Sequence, residues 1–411
     1  MITALIYLGL ALIPFFTIPG MDSRVPKEYL SLFIALSIIL FSLHKIDFKK
    51  FKNYWVFLFI LSGFISILLA PHTIKYFMAK VQGTGVMVDI TYDISNLWMF
   101  KAMFYILVYT LMTVAISSVE FNGEHTSMFL KIISVAGTLM SLYVILQAIG
   151  NLDQFFSMAD PSKNIHVTRV PKALLGGTMG QPTVVSPFIA LTVPISLYFG
   201  KYIRFSICAL AIWLTASKVA MAAMIVGVVF YLFTSKQKLM AVLVIAISVC
   251  GVTNFMERKS LFYPSKISAY LQDQTSGRWP IWVNAVERLK TEKRFITGLG
   301  PGSFAHTITK DRKGFIQAHC EPLEVLLNFG LLGLSMIVMA YYSMVRFTFS
   351  IGTNEVMAIF ASIVTITIAS FGTFTFQIAP NIFYSCVLIG LIYNNHLLTR
   401  SDNDNGDKTD V

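Results

Sequence analysis

Apolar stretches long enough to cross a bilayer follow one another along almost the whole sequence, and they constrain the fold more than any motif does. A helix crosses the hydrocarbon core with about 20 mainly apolar residues. Runs of that kind lie near 1–20, 28–44, 54–70, 98–117, 128–149, 183–199, 203–216, 219–234, 239–255, 321–345, 354–372 and 380–397. They predict an all-α membrane protein with about twelve transmembrane helices, the seventh run being the shortest. Only 13% of the 411 residues are charged, where a soluble domain carries about 25%. The deficit excludes a sizeable soluble domain and makes 1–411 a single polytopic membrane domain.

The charges between the runs set the orientation. KIDFKKFKNYW (45–55) holds four lysines, and KYIR (201–204) and KQK (236–238) hold two cations each. With the N-terminus inside, all three fall on the cytoplasmic side, as the positive-inside rule requires. The first run, MITALIYLGLALIPFFTIPG, has no basic n-region and no A-x-A cleavage site, so it reads as a first span with a signal-anchor role. The polar tail, 399–411, then ends inside and reads as disordered. Four scattered cysteines, Cys208, Cys250, Cys320 and Cys386, show no CxxC spacing and read as small hydrophobes. A net charge of +11 would suggest nucleic acid in a soluble chain. In a membrane chain it has first to be assigned to a side, and no nucleic-acid partner is expected.

Three longer segments face outward: 71–97, 150–182 and 256–320. The last lies between the ninth and tenth spans and carries, over 256–319, eleven Lys and Arg against five acids, on the side where cations are not expected. Two readings fit. Long loops translocate regardless of charge, or the loop receives an anion delivered from the membrane, such as a lipid-linked pyrophosphate.

Within that loop, SGRWPIWVNAVERLKTEK (276–293) spaces Ile281, Ala285, Val286 and Leu289 helically. It predicts an amphipathic helix on the membrane surface. Arg278 and Trp279 stand at its start, where backbone N–H groups and the helix dipole favour an anion. An arginine there grips phosphate oxygens in bidentate fashion, and an interfacial Trp/Arg anchor is the alternative. GLGPGSF (298–304) resembles a phosphate cradle only weakly, with no preceding strand and no GK[ST], so a tight turn packing the loop on the bundle is the better reading. His319 falls just ahead of a helix that Pro322 opens. With an ordinary pKa of about 6.5 it suits base chemistry or, equally, plain interfacial hydrogen bonding.

LTASKVA (214–220) puts Lys218 at a helix junction on the outer side, where a charge needs a partner or snorkels. Arg169 and Lys172 close the second outward loop and either add to an anion site or solvate that loop. The span that follows contains Pro187 and Pro194, tolerated where neighbours pack a kink. No HExxH or DxD motif stands in an outward loop, so neither a metal nor another cofactor is expected.

Four stretches, GTMGQPTVVSPFIALTVPISL, LTASKVA, SGRWPIWVNAVERLKTEKRFITGLGPGSFAH and AHCEPLEVLLNFGLLGL, resemble in order and spacing the O-antigen ligase and O-antigen polymerase superfamily. These are bacterial membrane glycosyltransferases that use undecaprenyl-pyrophosphate glycans. The resemblance covers the chain from about residue 170. It implies a GT-C-like helical fold in the inner membrane, with a large periplasmic loop between the ninth and tenth spans and an active site facing the periplasm.

Position by position, the resemblance makes Arg278 a pyrophosphate-binding arginine and His319 the general base, and it aligns Lys218 with an outward cation; Arg169 and Lys172, read from the second outward loop, are further candidate pyrophosphate contacts beside it. It also shows departures. Lys218 stands where the family has an arginine and keeps the charge without the bidentate contact. Cys320 replaces an asparagine, and Asn328 a glutamate. The implied activity is transfer of a glycan from undecaprenyl pyrophosphate to lipid A core. The outward T-x-S-K segment and the long loop favour this ligase reading over polymerisation, in which a second lipid-linked glycan is the acceptor. A flippase or transporter predicts internal repeats and mid-membrane charges in matching halves, and the sequence shows no clear repeat.

Overall fold

The structure is a computed structural model that describes residues 1–18, 24–48, 51, 53–70, 74–80, 87–92, 96–150, 175, 177–235, 278–303 and 318–394. In chain order its elements are α1 (Ile2–Leu12), α2 (Arg24–Ser42), α3 (Trp55–Leu69), strands β1 (Ile74–Lys80) and β2 (Met87–Tyr92), α4 (Asn96–Ser118), α5 (Gly123–Gly150), α6 (Pro182–Tyr198), α7 (Tyr202–Leu214), α8 (Lys218–Thr234), α9 (Trp279–Thr291), α10 (Glu321–Ile351), α11 (Asn354–Ser370) and α12 (Ala379–Ile392). Eleven of the twelve expected runs carry a helix, and the remaining one, 239–255, lies outside the described residues. Among the described residues, four helices are long and apolar enough to cross a membrane by themselves: 24–45, 99–118, 123–149 and 321–351. The other apolar helices run 10–17 residues. The chain is thus a helical membrane protein.

Several element ends differ from expectation for local reasons. α1 stops at Leu12 instead of reaching residue 20, because Pro14 has no N–H to continue the ladder, although Ile13 before it still holds helical angles. α5 starts five residues early, at Gly123, because Asn122 caps it: the side-chain oxygen of Asn122 accepts from the His125 N–H at 2.9 Å. The segment 71–97, expected to face outward, contains two antiparallel strands in which β1 pairs with β2 from Ile74↔Tyr92 to Lys80↔Met87, with an irregularity between Lys75 and Met78. Every other described element is helical.

The chain divides into two compact units. The first comprises 1–52, 108–256 and 346–411. At its centre lies α6, whose residues from Val184 to Ser196 are all buried, packed on α5, α7, α8 and α11. Without a hydrophobic force between helices in lipid, association relies on close backbone approach and hydroxyl packing. Gly227 on α8 shows this, since a Cβ there would overlap Thr365 on α11. Pro187 and Pro194 sit inside α6 and are fully packed.

The second unit comprises 53–107 and 257–345. Ile60 and Ile67 of α3, Ala70, Met99 and Met103 of α4, and Phe329 of α10 form one of its apolar clusters. The second cluster builds the site.

Candidate functional site

α9 forms where the sequence spaces its apolar residues, but its apolar face is not left for lipid. Ile281, Ala285 and Leu289 are almost fully buried against Leu299, Ala318 and Leu327, with Trp282, Leu323 and Leu326 at the edge. The expected surface-lying helix is instead docked on the start of α10, because those residues supply an apolar partner within the protein. Trp279 and Val283, on another face of α9, are the exposed apolar residues.

The chain leaves α9 through Lys293, which adopts a left-handed φ of 54°. There the N–H groups of Lys293 and Arg294 donate to the carbonyls of Lys290 and Leu289 at 3.1 and 3.0 Å. GLGPGS (298–303) follows and meets α10 where that helix is broken: Gly330 has φ 68° and ψ −169°. In an unbroken helix the N–H groups of Leu331 and Leu332 would donate to Leu327 and Asn328. Here they donate to the carbonyls of Phe295 and Ile296 at 2.9 and 3.1 Å, while Leu327 and Asn328 accept from the N–H groups of Leu299 and Gly300 at 2.8 and 3.0 Å. The loop thus replaces the two missing rungs of the helix. A Cβ at Gly330 would overlap the Ile296 carbonyl.

This geometry decides between the two readings of GLGPGSF. The N–H groups of Gly298, Leu299, Gly300 and Ser303 all donate to protein carbonyls, so they are not available to cradle a phosphate. The stretch is a packing turn. Asn328 serves the same junction. Its side-chain oxygen accepts from Ser303 Oγ at 3.1 Å, and its backbone carbonyl also accepts from Ser66 Oγ of α3 at 2.6 Å.

Ahead of α10, the Ala318 carbonyl accepts a 2.8 Å hydrogen bond from the indole N–H of Trp282. His319 comes next, with a left-handed φ of 52°. That conformation is uncommon outside glycine and, where surrounding structure enforces it, clusters at functional sites. Glu324 in the first turn of α10 donates its N–H to the Cys320 carbonyl at 3.0 Å.

Arg278 precedes α9, so one helix brings it to the histidine turn. Partial burial, and secondly the Arg278 charge, push the His319 pKa down to about 4. The imidazole is therefore neutral at physiological pH. Burial also lowers the Arg278 pKa, from a starting value high enough that the guanidinium stays charged. The Cys320 thiol is pushed up by burial, with the Glu321 and Glu324 carboxylates acting in the same direction and Arg278 against it. Glu321 and Glu324 are themselves buried in the first turn of α10. Arg278, His319, Cys320 and the two glutamates thus form one electrostatic cluster. The chemistry on offer is a neutral base beside a fixed cation.

Of the residues singled out from sequence, Arg278 and His319 are brought together. Lys218 belongs to the first unit, exposed at the first position of α8 after a turn through Ala216 with φ 53°. Arg169 and Lys172 lie outside the described residues, as do Cys250 and the tail 399–411. Cys208 and Cys386 are buried, as expected of small hydrophobes, whereas Cys320 is partly exposed. Sequence reasoning missed Trp282 and the bridging role of Asn328. The signal for Trp282 was its place one helical turn after Arg278.

Residues 203–338 match a protein-family model described as O-antigen ligase. This region takes in α7, α8, α9, the histidine turn and α10 beyond its break. It supports the superfamily of O-antigen ligases and polymerases that the motifs resemble, and with it a membrane enzyme of glycosyltransferase type. No curated protein matches the chain. Among the described residues no group of His, Cys, Asp and Glu is arranged to hold a metal ion.

Proposed function

We propose that the protein is an inner-membrane glycosyltransferase of the O-antigen ligase type, transferring a glycan from undecaprenyl pyrophosphate to lipid A core on the periplasmic side. The observation that carries this reading is the pairing of a neutral His319 with Arg278 at the start of the amphipathic helix. His319 takes the proton of an acceptor hydroxyl as its oxygen attacks the anomeric carbon from the face opposite the leaving group. The new C–O bond forms, the bond to the pyrophosphate oxygen breaks, and the electron pair leaves with undecaprenyl pyrophosphate. Inversion follows from that geometry. Arg278 stabilises the charge growing on the leaving oxygen, an electrostatic contribution on the order of 10²–10³ in rate when one such donor is removed.

Lys218, Arg169 and Lys172 remain sequence-based expectations as accessory cations. Each is tested by neutralisation, with weaker donor binding as the expected result.

Deleting the gene in the native host, and resolving surface lipopolysaccharide and undecaprenyl-linked glycan on gels, tests the acceptor. Bare core lipid with long chains accumulating on the carrier supports the ligase. Core lipid bearing a single repeat unit means a polymerase, in which the acceptor hydroxyl belongs to a second lipid-linked glycan. Unchanged pools of both would overturn the proposal and return the transporter reading.

A further inference from the structure

We infer that Trp282 is a positioning residue for the proposed base: its indole N–H, bonded to the Ala318 carbonyl, holds the left-handed turn at His319 at a fixed offset from Arg278. The inference rests on the reading of His319 as general base. A left-handed φ at a non-glycine residue persists only where the surroundings over-determine it, and the turn at 319 needs such a restraint on its N-terminal side. The 2.8 Å bond to Ala318 supplies one, at the residue immediately before. Ala318 is itself buried in the cluster with Ile281, Ala285, Leu289, Leu299 and Leu327, so the carbonyl cannot swing away without opening that cluster.

The other end of the restraint is equally fixed. Trp282 lies four residues after Arg278, and its backbone N–H donates to the Arg278 carbonyl at 3.1 Å. One turn of α9 therefore carries both the cation and the clamp on the base, and the distance between the two groups is set by a helix, not by a loop. The two tryptophans of α9 divide their work accordingly. Trp279 is the exposed one and suits an interfacial anchor, while Trp282 is half-buried and hydrogen-bonded. Misplacing a reacting group by about 1 Å costs on the order of 10²-fold in rate, so loss of the clamp falls on turnover.

The test uses the full chain in nanodiscs. A total lipid extract of the deletion host supplies donor and acceptor, and the readout is undecaprenyl pyrophosphate released per folded enzyme. Trp282→Phe keeps an aromatic ring in the cluster and removes the donor. The expected result is a fall of about 10- to 100-fold in turnover at saturating extract, with the half-saturating extract concentration unchanged. The acid limb of the pH profile should also move upward as His319 leaves its site. In a His319→Ala background the same substitution should cost nothing further. Turnover within about 2-fold of wild type, or an equal penalty with and without His319, would overturn the inference. Failure of the underlying reading looks different, since His319→Ala would then retain turnover by itself. Should Trp282→Phe fold too poorly to assay, site-specific replacement of Trp282 by its benzothienyl analogue, with sulfur in place of the N–H, gives the same comparison.

Discussion

Lys27 and Arg278 are both cations near the start of a helix and both lose solvent, yet the protein uses them in opposite ways. Lys27, in the first turn of α2, is 2% exposed and its ammonium donates to the carbonyls of Phe16 at 3.0 Å and Thr178 at 2.8 Å. Those contacts fix the GTMGQP turn, in which Thr178 Oγ1 also donates to the Pro14 carbonyl at 2.6 Å and the Gly177 N–H donates to Gln147 Oε1 at 2.9 Å. The charge of Lys27 is absorbed by carbonyl dipoles that hold four chain segments together. Arg278 instead directs its charge at a titratable neighbour, His319. A buried charge is costly to leave uncompensated. Lys27 finds that compensation in carbonyl oxygens, whereas Arg278 shares a cluster with the Glu321 and Glu324 carboxylates and its charge also bears on His319.

The sharpest way to break this contrast is to remove each group in turn. His319→Ala should lower glycan transfer by about 10³-fold or more while membrane-inserted protein stays at the wild-type amount. Lys27→Met should do the reverse, cutting the yield of folded protein severely and leaving turnover per folded molecule within about 3-fold. Immunoblots of the membrane fraction beside undecaprenyl pyrophosphate release separate the two. If Lys27→Met inserted normally and lost turnover, Lys27 would be part of the site.

The break in α10 comes next in size. Gly330→Ala puts a Cβ into the Ile296 carbonyl and forces alanine into a φ of 68°. Those two effects together cost about 3 kcal/mol or more. The loop should then detach from the helix and release Arg278 and His319 from each other. Heat-induced loss of the monodisperse species in detergent measures the stability. Full wild-type stability in this variant would mean that the two replaced rungs contribute little.

The pH dependence tests the electrostatic half of the contrast. The folded pKa of His319 lies below its ordinary value of 6.5, at about 4, so the unfolded chain binds the proton more readily. Its contribution to stability is therefore fully present above pH 6.5 and is lost as pH falls towards 4. Activity should stay level from neutrality down through pH 6 and fall on a limb near 4, where an unperturbed histidine would begin to lose activity near 6.5. In Arg278→Gln the limb, followed by the rate of diethyl pyrocarbonate modification of His319, should move part of the way back up. Burial, the larger cause, remains in that variant. An unmoved limb would mean that Arg278 does not act on His319.

Helix positions were the part of the fold most legible in the sequence, because length and hydropathy suffice to mark them. Helix ends were less so, since Pro14 and Asn122 set the limits of α1 and α5 by local chemistry that a hydropathy run ignores. Arg278 and His319 could be named from motif and chemistry. The rung exchange between Phe295–Gly300 and Leu327–Leu332 was not legible, because it pairs backbone groups about thirty residues apart whose side chains carry no trace of the pairing. GLGPG marked a backbone constraint, and only the contacts at Gly330 show whether that constraint serves a ligand or a helix.

Two asparagines carry the contrast between the units down to about 1 kcal/mol each. Asn122 caps α5 through its side chain, and Asn122→Ala should cost about that much stability with turnover per folded molecule unchanged. Asn328→Ala removes only the bond from Ser303 Oγ, since the backbone carbonyl keeps its bonds from Ser66 and Gly300. A bond of that kind is also worth about 1 kcal/mol. Its loss, however, loosens the turn that ties the loop after α9 to α10. Asn328→Ala should therefore lower turnover measurably, about 3- to 10-fold by the sensitivity of rate to alignment, at a stability cost no larger than that of Asn122→Ala. Equal turnover in the two variants would mean that Arg278 and His319 are held by α9 alone and that the rung exchange serves only the integrity of α10.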